Sequence, residues 1–206
     1  MPNTANYSFP TPADTDLVKN GADAIRDLGD AVDTAMNTAL GTKKSGLVLL
    51  NTTSFSAVSA FNFANDIFSA TYDNYKIVLS LKSSTANFLA FRGRTSGTSN
   101  SNANYTFQFI DIGGTGVAAA RSVNQTSARV ASVNSSTIPN GYAIDLFSPF
   151  INEATTFSSR GYNSASNASF NDYVGTFYNA AIFDSIEFLA STGTVTGKAY
   201  LYGYNQ

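Results

Sequence analysis

The sequence predicts a mainly β protein: an N-terminal α-helical coiled-coil stalk followed by a jelly-roll-like antiparallel β-sandwich. Three observations carry this prediction. Apolar residues recur at helical spacing only between Asp14 and Gly41. From Gly46 the period drops to two, in about nine to eleven short runs separated by turn residues. No repeat of fixed period runs along the chain, which argues against a propeller or solenoid.

Three organisational segments follow: an extended attachment peptide over 1–13, a coiled-coil helix over 14–41 and a β-sandwich head over 42–206. The first holds Pro2, Pro10 and Pro12, which disfavour regular structure. Its aromatics, Tyr7 and Phe9, are either part of a loose terminus or the anchors of a docking peptide. In the helix, Asp14, Thr15 and Asp16 suit the N-cap, and Gly41 marks the stop. Val18, Ile25, Val32 and Ala39 stand seven apart, with Gly21, Leu28 and Ala35 three residues after the first three. This is an a/d heptad pattern. Asp23, Asp27, Asp30 and Asn37 fill the opposite face. Gly21 and Ala35 make the seam thin, so it either lies against the chain's own β domain or joins copies whose β domains also touch. The stalk-and-head layout favours copies, and Val18, Ile25, Leu28, Val32, Ala35 and Ala39 are the expected oligomerisation residues.

In the β region, "YDNYKIVLSLKSS" puts Tyr75, Ile77, Leu79 and Leu81 on one face and Lys76, Ser80 and Lys82 on the other. "ANFLAFRGRTSG" follows after a short link, which predicts a hairpin between the two runs. "NYTFQFIDIGG" alternates Tyr105, Phe107, Phe109 and Asp111 with Thr106, Gln108, Ile110 and Ile112. Pro149 turns the end of "YAIDLFSPF" into an edge or bend. "DYVGTFYNAA", "FDSIEFLAS" and "GTVTGKAYLYGY" complete the domain.

Composition bounds the chemistry. With no Cys there are no disulfides or thiolate sites, and with no His the usual neutral-pH base and metal ligand are missing. Charged residues are only 13% of the chain, so Asn, Ser, Thr and Gly form a neutral surface of extracellular or virion-exposed character. Residues 1–40 hold six Asp against Lys19 and Arg26, whereas 41–206 hold ten Lys and Arg against eight Asp and Glu. That weak basic bias argues against nucleic acid. No apolar run approaches the roughly 20 residues of a spanning helix, and the opening residues lack a signal-peptide pattern. Membrane insertion is therefore not expected. The protein is expected to be made in a cytoplasm and released by lysis.

No enzyme is expected. The carboxylates outside the helix include Asp111 and Asp145 within apolar strands, but no spacing selects a glycosidase pair. There is no nucleophile elbow, P-loop or dinucleotide fingerprint, and no cofactor or metal is expected. Binding is better supported. Three polar stretches read as loops, at 96–104, 113–120 and 158–172. The third mixes Arg160, Tyr162, Asn163, Phe170 and Asp172; together with Tyr105 these are the receptor-binding candidates. Aromatic faces suit sugar C–H groups, and Asn, Asp and Arg suit hydroxyls. The alternative for each aromatic is packing onto its own domain.

"YSFPTPADTDLVKNGADAIRDLGDAVDTAM", Tyr7 to Met36, resembles the N-terminal segment of bacteriophage tail and tail-fibre proteins, with its "D-L-V-x-x-G-A-x-A-I-R-x-L-G" helix. "FDSIEFLASTGTVTGKAYLYGY" resembles a more degenerate pattern at the C-terminus of phage virion β domains. The two matches cover about a quarter of the chain. The resemblance implies a virion component of the phage tail, usually a homotrimer. Residues 1–13 would attach to a tail or baseplate protein, with Tyr7 and Phe9 in contact, and the β head would touch a host surface polysaccharide. It implies no catalytic residue. The other reading is a structural virion protein (head fibre, decoration protein or tail adaptor) without receptor affinity. A depolymerase would need cleavage chemistry that the sequence does not display.

Overall fold

The structure is a computed structural model; it describes residues 9, 20–41, 46–113, 116–135, 137–163 and 169–205. The chain divides into two compact units, one over Met1–Gly46 with Asn205 and one over Leu47–Tyr204 with Gln206. The first holds α1 (Gly21–Gly41). Asp23 sits in its first turn and pairs with Arg26 on the next. Ala24 is buried, and Leu28, Val32 and Ala35 are half-buried. Ile25 is 70% exposed and Met36 54%. The covered side is thus centred on Ala24, Leu28 and Ala35, and Ile25 lies off it. Val18 and the Ala39 side chain fall outside the described residues, as does Tyr7; Phe9 is half-buried.

The second unit is antiparallel β. Its thirteen described strands are β1 (Leu47–Val58), β2 (Ala60–Asn62), β3 (Asn74–Ser83), β4 (Asn87–Thr95), β5 (Thr98–Ser99), β6 (Tyr105–Gly113), β7 (Gly116–Gln125), β8 (Ala128–Val133), β9 (Asn140–Phe147), β10 (Glu153–Asn163), β11 (Ser169–Ala181), β12 (Ser185–Ala190) and β13 (Val195–Tyr204). One sheet has eight strands in the order β1-β13-β3-β9-β10-β11-β6-β7. The other runs β2-β12-β4-β5, with β8 also paired to β4.

Period-two alternation builds one core from both sheets. β3 buries Tyr75, Ile77, Leu79 and Leu81, as its sequence predicts. β9 buries Tyr142, Ile144 and Leu146 beside it, and β4 and β8 supply Leu89, Phe91 and Val130 from the other sheet. Phe91 of β4 meets Phe157 of β10 edge-on, ring centres 5.0 Å apart, and Tyr105 of β6 at 6.1 Å. Burying each such side chain contributes about 1.5–3 kcal/mol.

Two sequence expectations are corrected here. β3 and β4 do not form a hairpin. β3 is flanked on both edges by β13 and β9, so the following turn carries the chain into the other sheet. Two of the three stretches read as loops, 113–120 and 158–172, are strand over most of their described residues, whereas 96–104 keeps its loop character outside the two-residue β5. β7 occupies most of 113–120, the described residues of 158–172 belong to the paired strands β10 and β11, and 96–104 opens with a tight turn into β5. Ser96 (φ 49°) and Gly97 (φ 80°) form that turn, where two positive φ angles suit a two-residue hairpin.

Candidate binding face

The hairpin register decides which candidate residues meet. Arg160 lies directly opposite Asp172, and Tyr162 opposite Phe170. Phe157 and Ser159 of the same strand point into the core, so Arg160 and Tyr162 point outward. Four of the six candidates therefore share one patch. Both Arg160 Nη2 (2.6 Å) and Nε (3.2 Å) donate to Asp172 Oδ2. The guanidinium carbon stands 5.6 Å from the centre of the Phe170 ring. The Arg160 side chain is 69% exposed, so the pair adds at most about 1 kcal/mol to stability. Its effect is to fix the guanidinium over the ring.

The patch continues onto β6 and β7. Phe170 is followed across the sheet by Ile112 and Val117, and Asp172 by Ile110 and Ala119. Ile110, Ile112 and Val174 are each close to half exposed, and Val117 is 70% exposed. An open hollow of about 450 Å³ lies among Gln108, Ile110, Ala119, Asp172 and Val174. Contiguous exposed apolar surface of this kind marks a contact site more often than a bare monomer surface. The alternation of β6 is legible in the sequence, but the solvent exposure of Ile110 and Ile112 is not.

The other two candidates belong to the framework. Asn163 is buried; its side-chain oxygen accepts from Asn134 Nδ2 at 2.7 Å and its amide donates to Ser169 Oγ at 3.3 Å. Strand parity accounts for this, because Asn163 is one residue past Tyr162 and so faces inward. Tyr105 is fully buried between Phe91 and Phe177. Its hydroxyl accepts from Gly93 N at 3.0 Å and donates to the Asn100 carbonyl at 3.1 Å. Burial pushes its pKa up to about 12, with the Gly93 bond opposing the rise.

Two further groups escaped the sequence reading. On the same outward face, Asp145 Oδ1 accepts from Lys76 Nζ at 2.8 Å and from Tyr204 Oη at 2.5 Å. Burial works against the Lys76 ammonium, but the Asp145 hydrogen bond and charge outweigh it, and the pKa rises. The second group centres on Arg129. Its guanidinium carbon lies 3.0 Å from the Phe88 ring centre, 4.8 Å from Phe109 and 5.5 Å from Tyr173, and burial lowers its pKa. Both groups join residues far apart in the chain, and no local spacing announces them. Among the described residues, no cluster of three or more His, Cys, Asp or Glu is placed to hold a metal. The outward face offers flat aromatic and aliphatic surface with a few fixed polar groups. No protein-family model matches the chain, and no curated protein matches it.

Proposed function

We propose that this chain is a non-enzymatic, homotrimeric bacteriophage receptor-binding protein of the tail-fibre type. Its helical unit would assemble as a coiled-coil stalk, its N-terminal segment would attach to the virion, and its β domain would bind a host surface glycan. The observation that carries this reading is the outward β10–β11 patch, where Arg160, Tyr162, Phe170 and Asp172 stand together at the surface. Flat rings beside a fixed guanidinium–carboxylate pair suit a sugar. The resemblance of residues 7–36 to phage tail segments supplies the biological setting.

We read the β domain as a jelly-roll sandwich. The orders β1-β13-β3-β9 and β2-β12-β4-β8 support it, since they are the two four-stranded sheets of two interlocked Greek keys. The β5–β6–β7 and β10–β11 segments are then insertions, and β10, β11, β6 and β7 widen one sheet beyond β9. The proposed receptor patch sits on that added area.

A second reading, a structural virion protein without receptor affinity, is favoured by β7. This ten-residue strand lies at the end of the eight-stranded sheet, is exposed along almost its whole length and carries a single charge, Arg121. Such an edge is suited to protein contact.

The test is glycan-array binding by the full chain, wild type against Arg160→Ala and Tyr162→Ala. Retention of a defined glycan family, weakened at least about fivefold by either substitution, is expected for a receptor site. Absence of any retained glycan would leave the structural reading in its place.

A further inference from the structure

Antiparallel pairing keeps directly opposed residues on one face, so the register maps the outward surface across β13, β3, β9 and β10. One row reads Tyr200, Val78, Ala143, Arg160. The neighbouring row reads Lys198, Ser80, Gly141, Tyr162. Long side chains stand on the two outer strands and shorter ones on the two inner strands. At ~4.8 Å per strand, three gaps set the walls roughly 14 Å apart. The floor is open at Gly141, where an added Cβ would meet nothing within 4 Å.

One wall is basic. Lys82 pairs with Thr196, which places it diagonally from Lys198 across the β13–β3 ladder. Both lysines are exposed. The ion pairs among the described residues are Arg26–Asp23, Lys76–Asp145 and Arg160–Asp172, so neither Lys82 nor Lys198 has a described carboxylate partner. Like charges on neighbouring strands cost stability when nothing offsets them. Lys82, Lys198, Ser80, Thr196 and Tyr200 border a hollow of about 270 Å³. The opposite wall adds no free cation, because Asp172 holds Arg160.

We propose that this trough binds a linear anionic glycan. Its carboxylate or sulfate groups would lie on Lys82 and Lys198, and its sugar rings would run over Ser80, Gly141 and Ala143 between Tyr200 and Tyr162. The proposal rests on the receptor-binding reading and deepens it by naming the ligand class.

The test is full-chain binding to polygalacturonate, alginate and chondroitin sulfate fragments, with methyl-esterified polygalacturonate and dextran as uncharged controls. Wild type is compared with Lys82→Gln/Lys198→Gln and with Gly141→Tyr, each checked for native circular dichroism. Expected is binding to at least one acidic polymer, weakened at least about tenfold by either variant and by added salt, with the uncharged polymers bound more weakly. Acidic-polymer binding that the lysine variant leaves unchanged overturns the proposal, as does failure of every acidic polymer to bind. Retention of a neutral glycan that Gly141→Tyr abolishes would overturn the anionic class and leave the receptor reading standing. Loss of all glycan binding, neutral and acidic, would overturn both.

Discussion

Buried hydroxyls are the residue-scale feature with the sharpest consequences. Tyr105 exchanges two hydrogen bonds with Gly93 and Asn100 in the core. Tyr105→Phe leaves the Gly93 amide without its acceptor and should cost about 1–3 kcal/mol in chemical denaturation, with the proposed glycan binding unchanged. A loss of that binding at unchanged stability would return Tyr105 to the proposed receptor site. The same residue carries a pH dependence. The folded Tyr105 stays neutral to about pH 12, against the ordinary tyrosine value of 10.0. Between those values the unfolded chain releases a proton that the fold retains, so stability drops by about 1.4 kcal/mol per pH unit for each such tyrosine. Burial also raises Tyr75, Tyr142 and Tyr173. The raised Lys76 acts in the same direction, since its pairing with Asp145 is complete below the ordinary lysine value of 10.5 and lost as pH rises past its folded pKa. Denaturation midpoints should therefore hold up to about pH 10 and fall steeply above it, with tyrosinate absorbance appearing late in the folded protein. A flat profile to about pH 11.5 would contradict the shifts.

At the scale of elements, alternation was readable and strand partners were not; the N-cap candidates Asp14, Thr15 and Asp16 lie outside the described residues. The residues of β3 declare their two faces, because every second side chain is large and apolar. That β3 pairs with β13, Ile77 opposite Leu201, has no local signature. The same gap produced the mistaken β3–β4 hairpin, where a short link suggested pairing but the chain crosses the core. The candidate binding face was half legible. The sequence reads Arg160, Tyr162, Phe170 and Asp172 as part of a polar loop; strand parity brings them to one face and turns Asn163 inward. Lys76, Asp145 and Tyr204 needed three separate strands to meet. Parity makes β7 testable too. Val117→Lys places a charge on an exposed edge strand and should change monomer stability by no more than about 0.5 kcal/mol. If β7 is a protein contact, the same substitution should lower the self-association seen by sedimentation. In α1, Gly29 has open space around its missing side chain. Gly29→Ala should raise helix stability by about 1 kcal/mol, read as increased helical ellipticity and a later loss of it on heating.

At the scale of the whole molecule, the two units differ in what holds them. The β unit has a continuous core to which both sheets contribute, and that core is a sufficient reason to fold. The helix is a different case. Its described apolar side chains include Ile25 at 70% exposure and Met36 at 54% within one chain. A thin seam with Gly and Ala at d positions yields little association energy alone, so an assembled stalk would depend on contacts between β units as well. Removing residues 1–45 should then leave a folded β unit with an unchanged near-ultraviolet spectrum, while the solution mass by light scattering falls from trimer towards monomer. Ile25→Asp in the full chain should lower the mass in the same direction without altering the β unit, because it would put a charge into the proposed seam, where Ile25 is exposed in the single chain. A full chain that is already monomeric, or a trimer that neither change perturbs, would remove the helix from any role in assembly. In the first case the exposed Ile25 would need a different partner; in the second, the β faces, with β7 foremost, would be holding the copies together.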